Sequence, residues 1–278
     1  MQTIEQLRSG ALVGIRRLKL CCGLTRFPTE IYDLADTLEI LDLSGNQLSE
    51  LPEDLLHRLK KLRIIFCSDN RFTELPAVLG RCAELSMVGF KANQIRRVPP
   101  ASLPEKLRWL ILTDNEIEEL PSELGACLQL QKLMLAGNKL RVLPESLVNC
   151  QRLELVRIAA NQLETFPDWL LSLPRLSWLA YSGNPFSYHW EQRAQATSHI
   201  DKIRWDALTV EQLLGEGASG VIYRALHTQA SAKVKPVAVK LFKGAMTSDG
   251  LPQCEMTASI HAGKHPSLIN VIGKIIGH

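Results

Sequence analysis

The sequence predicts an α/β fold in two parts: a solenoid of stacked repeats, then a smaller α+β unit built on a different pattern. Three observations point there. Asn46, Asn70, Asn93, Asn115, Asn138, Asn161 and Asn184 recur at successive gaps of 24, 23, 22, 23, 23 and 23 residues. Each closes the same phrase, clearest as Leu41-Asp42-Leu43-Ser44-Gly45-Asn46-Gln47-Leu48-Ser49-Glu50-Leu51-Pro52. After Asn184 the phrase stops, and a glycine-rich run followed by β-branched residues takes over. A fixed period in the low twenties makes each copy one supersecondary unit, too small to bury its apolar side alone and stabilised by stacking.

Composition sets the outer bounds. The chain has 278 residues, 46% of them hydrophobic and 22% charged, with a formal net charge of +3. That charge is too small, and too evenly spread, to argue for nucleic acid or an acidic membrane surface. The N-terminus lacks the apolar core of a signal peptide. No stretch approaches the roughly 18 apolar residues that would span a bilayer. A cytoplasmic protein is expected. The seven cysteines contain no CxxC and no histidines at zinc spacing. Cys82, Cys127 and Cys150 each precede a repeat-opening leucine by three residues, the position of a small buried filler.

Residues 1–14 read as a capping helix, with a Thr3/Gln6 capping box at its start and Gly10 at its end. Residues 15–187 hold about eight repeats. The first is degenerate (Leu18, Leu20, Leu24, Phe27, Pro28), and the others open near Leu38, Leu62, Leu85, Leu107, Leu130, Leu153 and Leu176. Within a unit, Leu41 and Leu43 of the short strand point inward, because side chains alternate across a strand. Asn46 then turns the chain, its amide free to bond backbone groups of its own and neighbouring turns that lack a strand partner. Leu48, Leu51 and Leu55 fill the wedge, and Pro52 starts the return segment, where a fixed φ and a missing N–H cost little.

Over about residues 15–187 this pattern resembles the leucine-rich repeat family, in its class of roughly 23-residue repeats with a Leu-Pro step, of cytosolic or bacterial type. The resemblance implies a curved solenoid with a parallel sheet on its concave side. Two outward columns then face a partner. The first is Ile40, Ile64, Met87, Trp109, Lys132, Leu155 and Trp178; the second is Asp42, Phe66, Gly89, Ile111, Met134, Arg157 and Ala180. A third holds Ser44, Ser68, Lys91, Thr113, Ala136, Ala159 and Ser182. An exposed apolar stripe with tryptophan and methionine marks an interaction surface. A protein partner is therefore expected on Ile40, Ile64, Phe66, Met87, Trp109, Ile111, Met134, Leu155 and Trp178. Two alternatives stay open: a slip of one residue would make these core, and the C-terminal unit could cover them.

Residues 188–206 read as a cap and linker, with Tyr188 and Trp190 available to cover the end of the solenoid. Residues 207–278 follow a different pattern. Leu213-Leu214-Gly215-Glu216-Gly217-Ala218-Ser219-Gly220-Val221-Ile222-Tyr223 holds a G-x-G-x-x-G loop. A dinucleotide-binding loop would open a helix, but Val221-Ile222-Tyr223 reads as a strand. Val237-Ala238-Val239-Lys240 follows, its Lys240 twenty residues after Gly220, and Glu255 comes fifteen residues after Lys240, on a stretch from Cys254 to Ile260 that reads as a helix. His265-Pro266-Ser267-Leu268-Ile269-Asn270-Val271-Ile272-Gly273 then reads as a turn and a further strand.

From about residue 206 these marks resemble the N-terminal part of a protein kinase domain, an antiparallel sheet plus one helix. The resemblance implies ATP, with magnesium in the parent kinase, gripped through Gly215, Gly217, Gly220, Ile222, Ala238, Lys240 and Glu255. Lys240 would hold the α- and β-phosphates, Glu255 would orient it, and Ile222 and Ala238 would line the adenine pocket. No H-R-D-x-x-x-x-N, D-F-G or A-P-E phrase occurs before His278, so no catalytic residue and no metal ligand is assigned. This chain is expected to be a portion or truncated form of a serine/threonine-type kinase, inactive alone and binding ATP weakly, above millimolar, or undetectably. The alternative is a protein-binding adaptor with a vestigial kinase remnant. A third possibility, a bacterial effector, shares this repeat class.

Overall fold

The computed structural model describes every residue except Met1, Ser198, His199, Ala218, Ala230, Ala232, Ala245, Met246, Ser248, Asp249, Lys264 and His278, and all side chains of the others but those of Leu56 and Thr197. Ala218 of the glycine-rich phrase thus lies outside the described residues, as does His278. The chain divides into two compact units, Met1–Ala180 and Tyr181–His278.

In the first unit every leucine phrase forms a three-residue strand. These are β1 (Arg17–Lys19), β2 (Ile40–Asp42), β3 (Ile64–Phe66), β4 (Met87–Gly89), β5 (Trp109–Ile111), β6 (Lys132–Met134), β7 (Leu155–Arg157) and β8 (Trp178–Ala180). They pair in chain order as one eight-stranded parallel sheet without a register shift. The inward residues Leu41 and Leu43, Ile65 and Cys67, Val88 and Phe90, Leu110 and Leu112, and Val156 and Ile158 are all 0% exposed. That burial fixes the face assignment, because a one-residue slip would have exposed this whole set.

Beyond six of the seven repeat prolines the return segment is a tight 3₁₀ turn. It follows Pro28, Pro76, Pro99, Pro121, Pro144 and Pro167, whose φ lies between −60° and −77°. Proline is pre-set for that φ and no turn bond is lost. The longest interval, Asn46 to Asn70, is the one whose return segment is a short α-helix, α2 (Leu55–Arg58). The turns stack tightly: a Cβ on Gly80 would collide with the Ala101 carbonyl, and one on Gly125 with Ser146. Cys82, Cys127 and Cys150 are buried between them. Burial pushes their thiols up to about 11, 11 and 12, so they stay protonated packing groups.

The asparagines join one coil to the next. Asn115 Nδ2 donates to Leu112 O of its own coil at 3.0 Å and to Phe90 O of the coil before at 2.9 Å. Its Oδ1 accepts from Ile95 N at 3.0 Å. Asn138 and Asn161 repeat the arrangement on Leu112, Leu135 and Ile158. Several carbonyls therefore serve two asparagines: Leu43 (Asn46, Asn70), Phe90 (Asn93, Asn115), Leu112 (Asn115, Asn138) and Leu135 (Asn138, Asn161). The residue before each asparagine is left-handed: Gly45, Asp69, Ala92, Asp114, Gly137, Ala160 and Gly183 have φ between 51° and 79°. In that conformation the chain reverses sharply enough to aim the amide back under the strand.

The N-terminal edge is closed as well. Helix α1 (Ile4–Arg8) has its Thr3–Gln6 capping box. It ends with Gly10 at φ 74°, where Gly10 N donates to Leu7 O at 3.1 Å and Ala11 N to Gln6 O at 3.1 Å, a Schellman closure. Gln2 then bonds the free edge of β1, accepting from Lys19 N at 3.0 Å and donating to Arg17 O at 3.2 Å. An edge strand capped in this way cannot pair with another chain.

The second unit contains helix α3 (Tyr188–Thr197) and strand β9 (Lys202–Arg204), then the antiparallel meander β10 (Leu208–Glu216), β11 (Gly220–Thr228) and β12 (Val234–Phe242). Helix α4 (Pro252–His261) and strand β13 (Lys274–Ile276) follow. Two expectations need correction. The strand after α4 is not within residues 265–273; it lies at Lys274–Ile276 and pairs in parallel with β9, not with the meander. Gly273 allows this, since a Cβ there would strike the Ile203 side chain and come within 3.0 Å of Asp201 O. Tyr188 and Trp190 do not act as a buried cap, being 62% and 66% exposed. The turn that closes the last asparagine phrase is instead sealed by buried Asn184 and Ser187, which cap each other's backbone.

Candidate functional site

Two surfaces carry candidate chemistry. The first is the outer face of the eight-stranded sheet. Register places Ile40, Ile64, Met87, Trp109, Lys132, Leu155 and Trp178 in one row, and Asp42, Phe66, Gly89, Ile111, Met134, Arg157 and Ala180 in a second. The apolar members are less open than the sequence suggests. Ile40, Ile64, Phe66, Met87, Trp109, Ile111, Met134 and Leu155 are half-buried, and of the nine only Trp178 is exposed, at 52%. In-register parallel strands sit about 4.8 Å apart, so each side chain leans on the next. Phe66 lies across the space above Gly89, where a Cβ would come within 2.5 Å of its ring. Thr113, Ala136 and Ala159 of the third column are buried, which narrows the face to two columns from β5 to β7, whereas Ser44, Ser68 and Ser182 are half-buried and Lys91 is exposed.

Charged groups punctuate this face. Lys132 Nζ sits 3.8 Å from the Trp109 ring centroid and the Arg157 guanidinium 5.9 Å from that of Trp178, both cation–π distances. At the other end Asp42 is buried, 3.1 Å from Lys19 Nζ, and accepts from Ser44 N at 3.0 Å. Burial pushes its carboxyl up, but the Ser44 bonds and the Lys19 ammonium outweigh that and hold it below the usual aspartate range.

The second surface is on the meander. Gly215 pairs with Ile222 and Ile222 with Lys240, forming one row across three strands. Alternation puts Ile222, Ala238 and Lys240 on the exposed face, whereas Ala225 and Val239 are buried on the other. The Lys240 ammonium forms an ion pair with Glu255 of α4 and lies 4.7 Å from the Phe242 ring centroid. Among the described residues Glu255 Oε2 is one of two buried side-chain polar atoms with no hydrogen-bond partner. The glycines divide by role. A Cβ on Gly215 or Gly217 would meet nothing within 4 Å, so both border open space. Gly220 instead passes close to β12, where a Cβ would lie 2.5 Å from Leu241 O.

Sequence reasoning missed the groups that hold the loop. Lys243 pairs with Glu216 and its Nζ donates to Gly217 O at 3.4 Å, while Gly217 N donates to Gly220 O at 2.9 Å. A lysine just past a strand carries no local signal of that task. Among the described residues no cluster of three His, Cys, Asp or Glu could hold a metal, and no helix is long and apolar enough to cross a membrane.

Comparison with known proteins bears on both surfaces. A family model described as Leucine Rich Repeat matches residues 37–59. Over 74 residues, 27% of this chain, the sequence is 35% identical to "Probable serine/threonine-protein kinase gdt4" of Dictyostelium discoideum, of which the match spans 4%. Among solved structures, a leucine-rich-repeat protein of Leptospira interrogans is similar at a TM-score of 0.40 and 25% identity, over 64% of this chain and 57% of that one. An internalin of Listeria monocytogenes is similar at a TM-score of 0.46 and 22% identity, over 56% of this chain and 51% of that one. The matched coil and the parallel sheet together make the first unit a leucine-rich-repeat domain.

Proposed function

We propose that the second unit grips ATP as the small lobe of a leucine-rich-repeat protein kinase, and that the repeats recruit a protein partner or substrate. One observation carries the enzymatic half: the ion pair between Lys240 of β12 and Glu255 of α4, beside a glycine hairpin in register with it. The local identity with a serine/threonine kinase supports it. The residues fit the nucleotide. Open space beside Gly215 and Gly217 admits phosphates close to the backbone. Lys240 is held by a carboxylate at the height of the loop and would pair with the α- and β-phosphates. Ile222 and Ala238 share that face and would wall the base. ATP supplies the transferable phosphoryl group and magnesium spreads its charge; a protein hydroxyl is the acceptor.

The test is a titration of this chain with magnesium-ATP up to tens of millimolar, followed by amide NMR. Shifts are expected at Gly215, Gly217, Ile222 and Lys240 and should vanish in Lys240→Met. Shifts that persist in that variant, or that fall elsewhere, overturn the reading. For the repeats, Trp109→Ala should weaken partner capture while lowering Tm by less than about 4 °C. A larger fall would make the residue structural. The second reading, a protein-binding adaptor, is favoured by the continuous two-column face, which needs no nucleotide.

A further inference from the structure

We infer that Glu191 is a positioning residue for the Lys240–Glu255 pair, acting through α4; this rests on the nucleotide-gripping reading above. Helix α4 has ten residues, no side-chain N-cap at Leu251, and only Thr257 buried. A helix that short is not stable by itself in water, so its orientation depends on what it packs against. The element packed most extensively on it is α3. The two helices are tied at both ends of α4. Cys254 Sγ donates to Glu191 Oε2 at 3.6 Å in the first turn, and His261 Nε2 donates to Ala194 O at 2.6 Å in the last.

Cys254 immediately precedes Glu255. Successive side chains diverge by about 100° around a helix, so fixing Cys254 toward α3 sets the direction in which Glu255 projects. The other oxygen of Glu191 is also committed, accepting from Gly183 N at 2.7 Å. Gly183 belongs to the last asparagine turn, in which Asn184 Nδ2 donates to Tyr181 O at 2.7 Å. One carboxylate thus ties that turn to the helix carrying Glu255. Two acceptor oxygens are needed for this, and the Cys254 thiol must remain a donor. Burial, reinforced by the Glu191 charge, pushes that thiol up to about 11 and keeps it protonated.

The test reads Lys240 directly. Lysines of the full 278-residue chain are labelled by trace acylation and quantified by peptide mass spectrometry. Glu255→Gln should raise labelling of Lys240 several-fold by releasing its ammonium. Glu191→Ala should raise it comparably, Cys254→Val should do the same, and Glu191→Gln, whose single amide oxygen can serve Gly183 but leaves no acceptor for the Cys254 thiol, should match Cys254→Val. Lys243, held by Glu216, is the control. A rise at Lys240 with Lys243 unchanged supports the inference. Equal rises at both would mean that the unit has loosened, and would overturn it. So would an unchanged Lys240 in Glu191→Ala, whether or not Glu255→Gln responds. Protection of Lys240 by magnesium-ATP raised to tens of millimolar is scored separately: its absence overturns the nucleotide reading and leaves the comparison of the Glu191 variants unchanged.

Discussion

Replacing Asn115 by alanine tests the seam between coils with a single change. The substitution removes four hydrogen bonds, to Phe90 O, to Leu112 O, from Ile95 N and a long one of 3.4 Å to Thr113 O, a carbonyl that keeps Ala92 N. The losses are unequal. Phe90 O keeps Asn93 and Leu112 O keeps Asn138, so neither carbonyl is orphaned. Those two bonds cost about 0.5–1.5 kcal/mol each. The Ile95 N–H loses the Oδ1 acceptor, and an unsatisfied buried donor costs about 1–3 kcal/mol. The sum spans about 2–6 kcal/mol and centres near 4, roughly a thousandfold in the unfolding equilibrium. Urea unfolding followed by tryptophan fluorescence and far-UV circular dichroism should show a lower midpoint at unchanged slope. A loss under about 1 kcal/mol would refute the reasoning, because the Ile95 amide would then have found another partner. Asn115→Asp sharpens the test: at neutral pH its carboxylate has no proton for either carbonyl, so it should be at least as damaging as alanine. Burial raises the folded pKa of such a carboxyl, so its deficit should shrink as pH falls from that raised value to the ordinary aspartate one, and stay constant below it.

Ala160→Gly should stabilise the fold by up to about 1 kcal/mol, since relief of a left-handed alanine at φ 51° exceeds the added chain entropy; Ala160→Val should destabilise it. A thermal melt distinguishes the two. The Asp42 carboxyl is held below its ordinary range, so its contribution is present above the unfolded pKa and disappears as pH falls through the folded one; Asp42→Asn should flatten the acid side of the stability profile. Gly80→Ala should lower Tm more than an alanine at an exposed turn position, because the new methyl meets the Ala101 carbonyl.

The repeats were legible because their chemistry recurs. A strand that must bury Leu41 and Leu43, and a turn that needs one amide, leave the same letters at every coil. What the period could not report was the extent of outer-face packing. That depends on neighbours 23 or so residues away in register, as when Phe66 covers Gly89. The left-handed residue before each asparagine escaped notice because Asp69, Ala92, Asp114 and Ala160 break the glycine pattern. In the second unit the meander and α4 were legible from alternation and spacing. The β9–β13 pairing was not, since two three-residue strands far apart in sequence carry no local sign of each other. Glu191 and Lys243 were missed for the same reason: nothing in their flanking letters distinguishes a tether from a surface charge.

The doubly used carbonyls have a consequence for descent. Where each junction along the array offers its neighbour the same donors and acceptors, inserting or excising one entire coil recreates a junction of familiar chemistry. Adding a single residue between the inward leucine pair and its asparagine does not. Length variants of this protein should therefore differ by blocks of about 23 residues, with small irregularities confined to the return side, where α2 already accommodates one.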